Sequence, residues 1–162
     1  MTQRDRQPRY VGLRYKPLDL MKSCALLIAF FAVFAPTVVF AMRQQAVAVK
    51  GILLCGDKPA EGVQVKLWDE DDGPDPDDEL DAMFTNADGS FDMKGSTREL
   101  TTIDPIFKVY HDCNDGVLPG QRKIKLRIPT QYIAAGGVAK KVFDVGILNL
   151  ETVFPGEERD LL

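Results

Sequence analysis

Residues 121–128 read QRKIKLRI, with Ile124, Leu126 and Ile128 on one parity and Lys123, Lys125 and Arg127 on the other. A period of two scatters such residues around a helix but sorts them onto the two faces of a strand, one buried and one wet. The same period returns along the chain. Residues 63–69 (VQVKLWD) set Val63, Val65 and Leu67 against Gln64 and Lys66, and residues 46–55 (AVAVKGILLC) set Val47, Val49, Leu53 and Cys55 against Lys50. Residues 106–113 (IFKVYHDC) place Phe107, Val109, His111 and Cys113 together, and residues 141–150 place Phe143, Val145 and Ile147 inward. Residues 80–85 and 90–94 read as further short strands, joined by Asn86-Ala-Asp-Gly89 with Gly89 at the left-handed position of a tight turn.

Between these runs lie turn-forming clusters: residues 56–62, Asn114-Asp-Gly116, Pro119-Gly120 and Gly136-Gly137. Only residues 132–135 look locally helical. About seven to eight short strands without a long amphipathic helix describe an all-β sandwich.

The N-terminal quarter has a different character. Residues 23–41 (SCALLIAFFAVFAPTVVFA) carry no charge, and the 22 residues before them hold six Lys/Arg against two acids. A basic n-region, an apolar h-region and a small residue at its end form a secretory signal, with cleavage expected after Ala41. Val39 and Ala41 supply the −3 and −1 positions, whereas cleavage after Ala35 would set Pro36 beside the scissile bond. Met21 alone would start a signal of ordinary length, so residues 1–20 read as an extension or as the long n-region of residues 1–41. The alternative is an uncleaved signal anchor in the membrane, which Pro36 disfavours. The globular domain is then residues 42–162, and the expected location is extracellular.

Residues 42–162 carry 14 Lys/Arg against 22 Asp/Glu, a net charge of −8. Nine of those acids fall within residues 69–81, and the remainder is nearly neutral at 14 against 13. Local acidity of this kind excludes a nucleic-acid footprint, which is basic. Of three cysteines, Cys24 lies in the signal segment, leaving Cys55 and Cys113. In an oxidising compartment they have one intramolecular choice, and each shares parity with its strand's inward residues, so a Cys55–Cys113 bridge across the sandwich is expected.

The acidic run LWDEDDGPDPDDEL contains Asp69, Asp71, Asp72, Asp75, Asp77 and Asp78. It does not fit an EF-hand, since Gly73 at position six would put Trp68 at position one, and a weak extracellular calcium site gathered by these six aspartates is the alternative. A solvated inter-strand loop is the reading, with docking on a basic partner as its functional counterpart. Lys123, Lys125 and Arg127, flanked by Arg122, form a basic stripe that reads first as a solvated sheet face paired with the acidic loop, its functional alternative being contact with anionic lipid headgroups or an acidic receptor surface. His111, alone of its kind, shares parity with Phe107 and Val109 and is expected to be partly buried and hydrogen-bonded. One His and two pairing Cys cannot assemble a zinc site. No nucleophile elbow, P-loop or dinucleotide fingerprint occurs, and no cofactor is expected. No N-x-Ser/Thr sequon follows Ala41.

The stretches VKGILLCGDKPAEGVQVKLWDEDDGPDPDDEL, TNADGSFDMKGSTREL, PIFKVYHDCNDG and RKIKLRIPTQYI together resemble the nematode transthyretin-like family. The resemblance implies a prealbumin-type sandwich, secretion and a non-enzymatic extracellular role. Members of that family often carry a second cysteine pair, whose matching positions here are Gly120 and Leu161. Hydroxyisourate hydrolases of the same fold use two histidines, an arginine and a C-terminal Tyr-Arg-Gly-Ser. This chain has one histidine and ends Glu-Arg-Asp-Leu-Leu162, so that activity is not expected. The functional expectation is a secreted protein that binds a lipid or small apolar ligand, or bridges cell-surface partners, with peripheral contact to anionic membrane. The alternative is a hydrolase built on His111 and nearby carboxylates. Oligomeric state does not follow from the sequence.

Overall fold

The computed structural model describes residues 42–70 and 76–161. The expected signal segment, residues 1–41, lies outside the described residues, as do Asp71, Asp72 and Asp75. Ten strands and one short 3-10 turn make up the described part: β1 (Arg43–Cys55), β2 (Lys58–Pro59), β3 (Gln64–Asp69), β4 (Asp78–Phe84), β5 (Ser90–Glu99), β6 (Pro105–His111), β7 (Gln121–Arg127), β8 (Ala134–Ala135), β9 (Phe143–Asn149) and β10 (Glu158–Asp160). The seven or eight long runs read from alternation are joined by the two-residue pieces β2 and β8 and by β10, which are too short to carry a period. Residues 132–135, expected to be helical, divide between a 3-10 turn at Thr130–Tyr132 and β8.

The strands form two five-stranded sheets. In the first, β1 is central: it pairs antiparallel with β2, β5 and β8 and parallel with β9. The second runs β10-β7-β6-β3-β4, antiparallel throughout. Their facing residues fill one core, with Val47, Val49, Leu53, Phe91 and Met93 from the first sheet against Val65, Leu67, Phe107, Val109 and Ile124 from the second. Phe91 and Phe107 stack across the gap with ring centroids 4.7 Å apart. The expected bridge is present: Cys55 and Cys113 are bonded with Cα atoms 5.8 Å apart, tying the end of β1 to the segment after β6.

The parity reading fails at one inward residue. Ile147 is 66% exposed, while Leu148 packs against the core. The register shows why: Lys50 faces Asp144 but Ile52 faces Ile147, so β9 carries one extra residue. Gly146 takes that position at φ +70°, and Asp144 Oδ1 accepts its N–H at 2.9 Å. An inserted residue reverses the parity beyond it.

Two further features set the ends and edges. The free edge of β5 is covered by acids from β4: Lys94 N–H donates to Asp81 Oδ2 at 3.1 Å, and the Thr97 hydroxyl donates to Asp78 Oδ2 at 3.3 Å. At the far end, β10 pairs with β7 through Asp160 and Gln121, bringing Leu161 beside Gly120. A Cβ built on Gly120 would lie 2.9 Å from Leu161 Cδ2. The two positions that match the family's second cysteine pair are thus neighbours here.

Candidate functional site

The outward face of the second sheet gathers most of its basic and aromatic side chains. Because Val65, Leu67, Phe107 and Val109 point into the core, Lys66, Trp68, Lys108 and Tyr110 must point out. Strand register sets Lys66 opposite Lys108 and Lys108 opposite Lys125, a row of three lysines across β3, β6 and β7. A second row holds Phe84, Gln64, Tyr110, Lys123 and Glu158. Like charges directly opposite on a sheet repel. Here carboxylates answer them: Lys108 Nζ lies 2.6 Å and Lys125 Nζ 3.5 Å from Glu70 Oε1, and Lys66 Nζ lies 2.8 Å from Glu79. Lys123 and Lys125 each lie 3.5 Å from Glu158, and Arg127 pairs with Asp104. Burial alone would raise the Glu70 pKa, but bonding and charge from Lys108 and Lys125 outweigh it and hold the carboxyl below its ordinary value. Lys108 Nζ also sits 4.4 Å from the Trp68 ring centroid, a cation–π distance.

The four basic residues expected to form a stripe therefore separate. Lys123, Lys125 and Arg127 are on the outward face, and Arg127 is the most open. Arg122 is not with them. It has the parity of Ile124 and points inward, with 7% of its surface exposed. Its guanidinium Nε and Nη2 grip both Glu157 oxygens, while Nη1 donates to the carbonyls of Cys113 (2.8 Å) and Leu150 (3.0 Å) and Nη2 to that of Thr152 (3.0 Å). The hydrogen bond from Arg122 holds Glu157 below the ordinary carboxylate range against the opposing pull of burial.

The acidic residues divide as well. Asp69 keeps the inward parity of Val65 and Leu67, is fully buried, and accepts the Asp104 backbone N–H at 2.6 Å, so it belongs to the sheet and not to a solvated loop. Asp77 is exposed and Asp78 opens β4 opposite Asp69. Glu70 and Glu79, the two glutamates of the run, dock on the lysine rows. Among the described residues no group of three or more His, Cys, Asp or Glu is placed to hold a metal ion.

His111 is 2% exposed. Its Nδ1 accepts the Cys113 backbone N–H at 3.3 Å, and it faces Arg122 across the β6–β7 pair. Burial first, and the Arg122 charge second, push its pKa down; Glu157, Asp112 and Asp115 pull the other way.

A separate groove of about 470 Å³ lies on the outward face of the first sheet, between β5, β1 and β9. Ile52 and Ile147 form its apolar floor, and Lys50 and Asp144, 3.4 Å apart, its polar wall. The bulge at Gly146 is what turns Ile147 into it, a feature that strict alternation hides.

The Transthyretin-like family model matches residues 50–129, which span β1 from Lys50 through the end of β7. Three Caenorhabditis elegans proteins are similar over most of the chain. Transthyretin-like protein 46 is 59% identical over 142 residues, covering 87% of this chain and 76% of its own length. Transthyretin-like protein 5 is 43% identical over 84% of this chain and 98% of its own, and Transthyretin-like protein 33 is 43% identical over 75% and 85%. With its disulfide-tied two-sheet sandwich and relatives at this level of identity, the chain belongs to the transthyretin-like family.

Proposed function

We propose that the protein is secreted and works by surface contact, docking the outward face of its second sheet on an anionic extracellular surface and making no bonds of its own. The observation that carries this reading is the outward set of Lys66, Lys123, Lys125 and Arg127 with the 61%-exposed Phe84, laid over a buried row of Lys108 and Tyr110. Binding surfaces concentrate aromatic side chains and arginine, and lysines around them add long-range attraction to an anionic surface. The pairing carboxylates Glu79 and Glu158 are themselves 39% and 51% exposed. They can swing aside as phosphate or carboxylate groups of a lipid surface or receptor take their place. The buried position of His111 supports the same conclusion, because a general base needs hydrogen-bond reach to a substrate.

The test is lipid overlay and receptor pull-down with wild type and the Lys123→Ala/Lys125→Ala/Arg127→Ala variant. Binding that drops in the variant and weakens with salt is expected. Unchanged binding removes this face from consideration. The groove over Ile52 and Ile147 favours a second reading, capture of a small apolar ligand, for which its volume falls in the usual range. Native mass spectrometry of secreted protein would show a retained ligand, and Ile147→Glu would abolish that retention without affecting the lysine rows.

A further inference from the structure

We propose that His111 is a proton-operated latch, whose protonation releases the loops 113–120 and 150–157 from the end of the sandwich. The chain has one histidine, so in the interval between neutral and mildly acidic pH it is the one side chain whose ordinary titration range is crossed. Its surroundings are built for the neutral ring. Nδ1 accepts the Cys113 N–H, which assigns the proton to Nε2, and Nε2 is buried without a hydrogen-bond partner among the described residues. A second proton turns Nδ1 from acceptor into donor, facing the N–H it had accepted.

The same residue is the anchor for both loops, through its carbonyl on the next peptide. The Cys113 carbonyl accepts from Arg122, which also holds the Leu150 and Thr152 carbonyls and Glu157. Arg159 reaches back from β10 to both Asp115 oxygens and to the Pro119 and Gly120 carbonyls. The charged groups acting on the ring are thus Arg122 on β7, Asp112 and Asp115 in the loop after β6, and Glu157 before β10, with Arg159 on β10 held against Asp115. Glu157 and Asp115 are engaged by their arginines and stay ionised well below the histidine range. Protonating His111 therefore sets a second buried cation beside Arg122 while Glu157 and Asp115 stay as they are, and the Cys113 anchor loosens from both sides. The loops that come free carry Val117, wholly exposed already, with Leu118 and Val153.

The experiment uses the oxidised protein, with amide hydrogen exchange followed from pH 7.5 to 5 and corrected for intrinsic chemistry. Amides in 113–120 and 150–157 should exchange about tenfold faster at the acid end, well beyond any acceleration of β3 and β6, which follow global unfolding. His111→Asn, whose side-chain oxygen can replace Nδ1 as acceptor, should abolish the acid response. Should that variant fold poorly, the ring titration of the wild type by NMR decides the matter: its midpoint must lie below 6.5 and coincide with the loop transition. Loop exchange that accelerates equally in His111→Asn, or a ring that titrates without any change in the loops, overturns the proposal.

Discussion

Arg122 keeps a full charge at 7% exposure because every direction of its guanidinium plane meets an acceptor: two carboxylate oxygens of Glu157 and three loop carbonyls. Removing one member of a buried, hydrogen-bonded pair leaves the other charge stranded. Arg122→Met should therefore cost about 3–5 kcal/mol in urea denaturation. Arg122→Lys should not rescue it, since an ammonium cannot present a planar fork to acceptors on three sides. Removing Glu157 as well (Arg122→Met/Glu157→Met) should restore part of the loss and not all, because the Cys113, Leu150 and Thr152 carbonyls still lack a donor. Full additivity of the two substitutions would show that the pair is not coupled. The carboxylates here also fix the acid limit. Glu157 and Asp115 have folded pKa values below their ordinary 4.5 and 3.8. Their stabilisation is complete above those ordinary values and is lost as pH falls through the folded ones. His111 acts at higher pH: its folded value lies under 6.5, so the unfolded chain takes the proton first and stability declines as pH drops below 6.5. Urea midpoints against pH should show two separate steps on acidification, and His111→Asn should remove the upper one alone.

At the scale of elements, alternation was a reliable guide wherever a strand ran unbroken. The inward sets of β1, β3, β6 and β7 (Val47, Val65, Phe107, Ile124 and their parity mates) could be read directly from period two. The reading broke at Gly146, since a bulge adds a residue without altering local composition. At Arg122 and Asp69 polarity points to solvent while parity points to the core, where both are found. In both, parity was the better signal, because a one-residue slip would have cost every apolar contact on the strand. Nothing in three residues of β10 advertised that they would pair with β7 and set Glu158 beside the lysines. Glycines at one bulge and one turn separate backbone strain from steric exclusion. Gly146 has φ +70° and open space where a Cβ would go, so Gly146→Ala should cost about 1 kcal/mol for its dihedral alone. Gly89 has φ +77°, but a Cβ there would lie 2.2 Å from the Leu53 carbonyl oxygen, which already anchors the Ala60 N–H. Gly89→Ala should be clearly more destabilising by thermal and urea melts; equal losses would mean that the hairpin relaxes freely away from β1.

The described sandwich is held by three kinds of tie between its sheets: a shared apolar core, the hydrogen bonds from β5 to Asp78 and Asp81 of β4, and one covalent link. The core is broad, running from Leu53 and Cys113 at the disulfide end to Ile103 and Ile128 at the other, so the sandwich does not depend on the bond to define its topology. What the bond does is join β1 of the first sheet to the chain just beyond β6 of the second, across 58 residues. In the chain-entropy description, a loop of that length restricts the unfolded ensemble by about 4 kcal/mol. Cys55→Ser/Cys113→Ser should lose about that much stability, a large part of the margin of a domain this size. The loss should be felt unevenly. Cys113 is also where Arg122 and His111 grip the loop, so amides in 113–120 should gain exchange beyond the global change, whereas β3 should follow global unfolding. Single-serine variants should match the double within error, because a thiol left alone restores no cross-link. A loss of under about 1 kcal/mol, or uniform exchange across both regions, would mean that the core alone aligns the sheets and the bridge is incidental to the fold.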